Sequence, residues 1–295
     1  MAIELVEKYL PYVDEQFTEE SKKGYLTNND FSFAGAKTVK VYKISTGTMQ
    51  DYGRIGNGSQ GSRYGTVEEL EATTQVMTLS KDRSFTFVID ALDADETGGT
   101  LKAASALARQ VREVVIPEVD THVIGKMCAG AGLTNEAVDL ADNIYDEIFK
   151  GGIAMDNENV PEVGRILVVV PNTLLRMKMC KDNNGRYQDM INAVLDPEKR
   201  KVGFVGNIDG MDVLKVSANK LPDDFCFMIA HPCATVAPVK LESYKVHQDP
   251  PGISGALVEG RICYDAFVLN NKKKAIYYAK NKPAENAPTG DDSEE

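Results

Sequence analysis

The chain has 295 residues, enough for one large domain or two modest ones. It is 43% hydrophobic with no tryptophan, and 33 basic against 44 acidic residues give a formal net charge of −11. That balance excludes a function whose affinity depends on neutralising phosphates, although an acidic surface can enclose nucleic acid without gripping it. Cys128, Cys180, Cys226, Cys233 and Cys263 are odd in number and irregularly spaced, which fits free thiols in a reducing compartment better than a disulfide framework. Glu4 and Glu7 fall where a secretory signal would be apolar, and no apolar run approaches the ~20 residues of a membrane span.

In chain order, Leu5, Tyr9, Val13 and Phe17 have helical spacing, interrupted by Pro11 and stopped at Gly24. The stretch from Phe31 to Ile44 alternates and predicts a strand burying Val39, Val41 and Ile44 on one face. Residues 50 to 65 hold five glycines in QDYGRIGNGSQGSRYG and cannot form a core. Val67 to Leu79 and Ser84 to Ile89 are rich in Thr, Val and Phe and predict extended limbs. The pattern is a long hairpin-like excursion, and docking onto another subunit would explain it.

The run from Gly98 to Met127 organises the chain. Leu101, Ala104, Ala108, Val111, Val115, Val119 and Val123 recur at spacings of three and four, an apolar stripe along a helix. At ~1.5 Å per residue such a rod spans roughly 40 Å, with a kink or break expected at Pro117. A second helix is predicted from Thr134, its N-cap, to Phe149, with Gly151 and Gly152 as its stop. Arg165 to Val170 is a continuous apolar run ended by Pro171, which suits a strand buried on both faces and followed by a helix. Two short strands joined through Asp209-Gly210 follow, then a strand from Phe225 to Ala230 and a short helix opening at Pro232. Segments 239–246 and 256–279 are strand-like again, and the tail after Lys280 has no apolar periodicity.

Motifs for chemistry are few. Gly56-Asn57-Gly58-Ser59-Gln60-Gly61 matches the dinucleotide fingerprint in letters, but no buried strand precedes it and no helix opens at it. His122, His231 and His247 lie far apart, and His231-Pro232-Cys233 is the only close His/Cys pair. The six-residue spacing of His122 and Cys128 puts them on poorly matched helix faces. Asp90, Asp93, Asp95 and Glu96 could form a cation or acid/base site, yet they fit better as a solvated approach to the long helix. Lys272 to Lys274 is too short a patch for a nucleic-acid groove. No cofactor is expected, and what remains is a shape suited to assembly.

Several segments together resemble major capsid proteins of tailed bacteriophages, the family with the fold named after phage HK97. KYLPYVDEQFTEESKKGYL with FSFAGAKTVKVYKISTGTMQDYGR resembles the arm and first strand of one branch, and TLSKDRSFTFVIDALDADETGG the returning limb of the extended loop. REVVIPEVDTHVIGKM resembles the spine helix; ILVVVPNTLLR, GNIDGMDVLKVSANKLP and GRICYDAFVLNNKKKAIYYAK resemble the axial domain and the closing strands.

The resemblance implies an α+β, HK97-like capsid fold with an N-terminal arm (1–36), a strand and extended loop (37–97), a peripheral domain (98–134 with 236–280), an axial domain (135–235) and a disordered tail (281–295). It implies pentamers and hexamers in an icosahedral shell that encloses double-stranded DNA without sequence-specific binding, assembled in the bacterial cytoplasm, with no enzyme activity and no membrane. A portal protein, a separate scaffolding protein and possible decoration proteins are the expected partners. No lysine lies between Lys43 and Lys81, so the lysine–asparagine weld of some members is not expected. Arg54, Arg63, Asp82 and Arg83 are the candidate intersubunit contacts. Two alternatives stay open: a nanocompartment shell of the encapsulin type, which shares the fold, and an α/β enzyme built on the Ile166–Val170 strand and the acidic cluster.

Overall fold

A computed structural model describes residues 21–28, 38–53, 63–64, 68–96, 102–138, 143–181, 187, 190–193 and 196–282. The chain divides into two compact units, Phe33–Leu79 and Met1–Ser32 with Ser80–Glu295. The elements in chain order are α1 (Lys23–Leu26), β1 (Thr38–Ile44), β2 (Ala72–Thr78), β3 (Lys81–Asp90), α2 (Ala91–Glu96), α3 (Ala103–Gln110) and, after a π turn (Val111–Val115), α4 (Ile116–Ala129). There follow β4 (Leu133–Val138), α5 (Ile144–Asn157), β5 (Ile166–Val169), α6 (Pro171–Met179), β6 (Asn192–Ala193), α7 (Pro197–Val202), β7 (Phe204–Ile208), β8 (Met211–Lys215) and β9 (Phe225–Ala230). The last are β10 (Thr235–Val236), β11 (Val239–Gln248), β12 (Gly255–Tyr264), β13 (Phe267–Val268) and β14 (Ile276–Asn281).

The core of the larger unit is a seven-stranded mixed sheet in the order β4-β14-β9-β5-β8-β7-β6. Its central strands carry unbroken apolar runs because both of their faces are covered. Ile166 and Val168 of β5, Met228 and Ala230 of β9, and Ile276 and Tyr278 of β14 join one buried cluster with Val119, Val123, Ile124 and Met127 of α4. Their neighbours Leu167, Val169, Phe227, Ile229, Tyr277 and Ala279 join a second cluster with Ile144, Tyr145, Ile148 and Met155 of α5 and Met177 of α6. The period-two alternation of a strand thus divides one sequence run between two hydrophobic layers. The β7–β8 hairpin turns through Asp209 (φ 47°) and Gly210 (φ 75°), as the Asp-Gly pair requires.

A second sheet, in the order β11-β12-β3, pairs Gly255 through Tyr264 antiparallel with Asp90 through Lys81. Gly260 sits under two aromatic rings: a Cβ there would lie 2.3 Å from the Phe85 ring and 2.9 Å from that of Tyr244.

Two sequence expectations are corrected. The long helix does not break at Pro117. The Ile116 N–H donates to the carbonyl of Val111, five residues back, so the chain passes through a π turn and continues to Ala129. A proline ring clashes with the carbonyl four residues before it in a regular α-helix; the wider turn re-aims the carbonyls ahead of the proline. Gly98 to Leu101 lie outside the described residues. The segment after this helix is β4, which pairs parallel with β14. The following helix starts only at Ile144, where the Asn143 side chain accepts from Tyr145 N, and it runs through Gly151 and Gly152 to Asn157. Gly151 is a packing glycine: a Cβ would lie 3.0 Å from both Ile229 and Tyr277. Among the described residues no helix is long and apolar enough to cross a membrane.

Candidate assembly surfaces

The smaller unit is built on one antiparallel ribbon. β1 and β2 pair without a shift from Thr38 with Thr78 to Ile44 with Ala72. Side-chain rungs extend the pairing. Ser45 N donates to Glu71 O at 2.9 Å, and Glu71 N donates to Ser45 Oγ at 2.9 Å. Thr48 donates from its backbone N (3.1 Å) and its hydroxyl (2.8 Å) to the Glu68 carboxylate, and these bonds, the backbone one first, hold that carboxyl below its ordinary pKa. Farther out, Gly53 N donates to Arg63 O at 2.9 Å, and the rings of Tyr52 and Tyr64 meet edge to face with centroids 5.0 Å apart.

Alternation places Lys40, Tyr42 and Ile44 of β1 on one face with Val76 and Thr74 of β2. On that face Tyr42 is 73% exposed, Val76 56% and Ile44 61%, so Ile44, expected on the buried side, points outward because its place in the pairing sets it with Tyr42. A two-stranded ribbon is marginal by itself in water, and this one leaves β-forming apolar side chains uncovered.

Where the chain re-enters the larger unit, one carboxylate gathers three segments. Asp265 is 2% exposed. It accepts from Ser80 N (2.9 Å) and Ser80 Oγ (2.7 Å), from Ala266 N (2.8 Å), and faces His122 Nε2 at 2.9 Å. Burial opposes its charge, but the hydrogen bonds from His122, Ser80 and Ala266 outweigh it and hold the carboxyl below its ordinary range. The knot joins the start of β3, the long helix and the end of β12. It contains a serine, a histidine and an aspartate, yet the carboxylate stands between the other two; a nucleophilic triad requires the imidazole there.

Of the four candidate contact residues, Arg54 lies outside the described residues and Arg63 contributes its carbonyl to the outer rung. Asp82 and Arg83 stand on β3 with partners inside the chain. Arg261 donates to both oxygens of Asp82, Nε at 2.9 Å and Nη2 at 2.6 Å, and Arg83 Nε donates to Glu118 at 2.8 Å. Glu118 also accepts from the Tyr264 hydroxyl at 3.1 Å. Asp82 and Arg83 are thus paired within the larger unit.

Sequence reasoning missed a second buried carboxylate. Asp120, 1% exposed on the long helix, accepts from Ser21 Oγ at 2.8 Å and Lys22 N at 3.2 Å and faces Lys220 Nζ at 3.7 Å. Lys22 is itself buried, its ammonium donating to Lys215 O at 2.6 Å, and Leu26 is fully buried. Asn28 completes the seam through Thr235 O and Cys233 O. The one available signal was an aspartate on the otherwise apolar side of the long helix.

The residues considered for chemistry are otherwise engaged. His231 Nδ1 accepts from Cys233 N at 3.2 Å while Nε2 donates to Val163 O at 3.1 Å, so the imidazole caps the short helical turn at Pro232. Burial, then the Asp224 charge, pushes the Cys128 thiol up to about 12, far from a reactive thiolate. Among the described residues no group of three or more potential metal ligands occurs. The Gly56–Gly61 motif lies outside them. Lys274 is paired with Glu158 at 2.6 Å.

No known family model matches the sequence, and no curated protein does. Solved structures do. A structure from Mycobacterium phage Che8 is 17% identical over 93% of this chain and 96% of its own, with a TM-score of 0.67. The asymmetric unit of the bacteriophage PhiM1 mature capsid is 16% identical over 98% and 93%, with a TM-score of 0.69. A virus-like particle from Pyrococcus furiosus is 12% identical over 88% and 92%, with a TM-score of 0.54. At these identities the likeness is one of fold, and the fold of this chain is that of HK97-like phage capsid and encapsulin-like shell proteins.

Proposed function

We propose that the chain is a major capsid protein that assembles as pentamers and hexamers into an icosahedral shell around double-stranded DNA. The observation that carries this reading is the ribbon of the smaller unit, which exposes Tyr42, Ile44 and Val76 on one face. Exposed apolar surface on a marginal element is accounted for when a neighbouring subunit covers it. The shared fold of a mature phage capsid supports the same reading. The net charge of −11 suits a container that encloses DNA and does not bind it tightly. A separate scaffolding protein, a portal and decoration proteins belong to this proposal, as does assembly in the bacterial cytoplasm and the use of Arg54, Arg63, Asp82 and Arg83 between subunits. For Asp82 and Arg83 that use means exchanging Arg261 and Glu118 for partners on another subunit.

The likeness to the Pyrococcus furiosus virus-like particle favours a second reading, a nanocompartment shell. Electron microscopy of material expressed with and without its neighbouring genes tests both. Closed shells with nucleic-acid content support the capsid; closed shells around a captured enzyme support the compartment. A monomer under every condition, coexpression included, overturns both.

A further inference from the structure

The last turn of α4 and the turn before β14 meet at one corner of the larger unit. Gly130 N donates to Lys126 O at 2.9 Å where the helix ends, and Gly132 N donates to Lys273 O at 2.8 Å. The approach is close: a Cβ on Gly132 would lie 2.6 Å from the Lys273 backbone. The second turn is fixed by Lys272 N donating to Leu269 O and Ala275 N donating to Lys272 O, both at 2.9 Å. Lys126, Lys272, Lys273 and Lys274 are all exposed. Glu158 is engaged by Lys274, and among the described residues Lys126, Lys272 and Lys273 have no carboxylate partner. In sequence, Lys272 to Lys274 is too short a patch for nucleic acid; the fold adds a cation from the long helix. The partial negative charge at the end of α4 favours Lys126, but it falls off within that turn and does not account for Lys272 and Lys273.

We propose that this corner is a contact point for the phosphate backbone of duplex DNA. Lysines supply point charges that hold phosphate oxygens without reading base edges. Asn271, exposed beside Lys272, supplies a neutral donor of the kind that also bonds phosphates. Three cations give a weak, salt-sensitive and sequence-independent contact, compatible with a chain whose net charge is −11 and with a container that releases what it holds. The proposal rests on the shell reading for its setting, and it turns Lys126, Lys272 and Lys273 toward the interior.

Fluorescence anisotropy of a short labelled duplex, titrated with the unassembled full chain at several salt concentrations, tests it. Neutralising three phosphates gives a slope of about −2.7 in log affinity against log salt, so affinity should fall about 40-fold between ~50 and ~200 mM. Replacing all three cations, by Lys126→Gln, Lys272→Gln and Lys273→Gln, should weaken binding at least about tenfold at the lower salt. Lys240→Gln with Lys245→Gln, exposed on β11, should leave it unchanged. A triple variant that binds like the wild type overturns the proposal. So does an equal loss in the β11 pair, which marks a diffuse charge effect, or no binding by the wild type at ~50 mM salt. Tighter binding of polyglutamate than of the duplex assigns the corner to an acidic protein and overturns it too. Shell formation is scored separately by microscopy, so a chain that binds duplex through these lysines but never assembles sinks the shell reading alone.

Discussion

The central sheet and the ribbon are made of similar residues used in opposite ways. In β5, β9 and β14 the apolar side chains of both faces are covered, one set by the long helix and the other by α5 and α6. In β1 and β2 the same alternation leaves Tyr42, Ile44 and Val76 facing solvent. Burial stabilises the first by roughly 1.5–3 kcal/mol per large apolar side chain; the second holds its register through backbone pairing and the Thr48–Glu68 rung. One sheet has both faces covered within a protomer, while the other leaves one apolar face exposed.

This contrast orders the expected effects on protomer stability. The largest belongs to the sheet. Phe227→Ala, in the fully buried middle of β9, should lower unfolding free energy by about 3–5 kcal/mol in urea titration. Next is the knot at the chain's re-entry. Asp265→Ala leaves Ser80 N and His122 without their buried acceptor and should cost about 3 kcal/mol. The pH dependence follows the same carboxylate. Its folded pKa is depressed, so its contribution is fully present above the unfolded value of about 3.9 and is lost as pH falls through the lower folded value. A urea midpoint that drops as steeply with acid in Asp265→Asn as in the wild type would contradict this assignment.

Smaller is the β7–β8 turn, where Gly210→Ala forces a side chain into a φ of 75° and should cost about 1 kcal/mol, read from thermal melting. The smallest effect belongs to the ribbon. A triple variant with Tyr42, Ile44 and Val76 replaced by serine should stay within about 0.5 kcal/mol of the wild-type protomer, yet yield no closed particles in microscopy. A triple variant that melts several degrees lower as a monomer would show that the protomer already covers this face and would erase the contrast.

Much of the central sheet was legible because continuous apolar runs and an Asp-Gly turn have few other uses. β5, β9 and the β7–β8 hairpin fall where Ile166–Val170, Phe225–Ala230 and Asp209-Gly210 indicate. The helix expected from Thr134 was misplaced because a parallel partner far along the chain, β14, overrides local helix signals in Leu133–Val138. Gly151 and Gly152 read as a stop because composition does not show that Ile229 and Tyr277 crowd the helix there. The candidate contacts were legible only as charges. That Asp82 faces Arg261, 179 residues later, and Arg83 faces Glu118 depends on the register of β3 with β12 and on the packing of the long helix, neither of which a lone sequence specifies. Asp120 and Asp265 were hidden for the same reason: a buried carboxylate is identified by its donors, and these come from distant segments.

The π turn ahead of Pro117 has a genetic consequence. A turn closed over five residues holds one residue more than a regular helical turn, so Ala103–Gln110 is rotated by about 100° from the phase that a plain α-helix would give it relative to Ile116–Ala129. Removing a single codon from Val111–Val115 would restore the regular spacing and bring the Pro117 ring against the carbonyl four residues before it, at about 3 kcal/mol. The length of the helix and the presence of the proline are therefore linked: an in-frame deletion in this window should survive selection only together with a substitution at Pro117, and it would turn a different face of the upstream half toward whatever it meets.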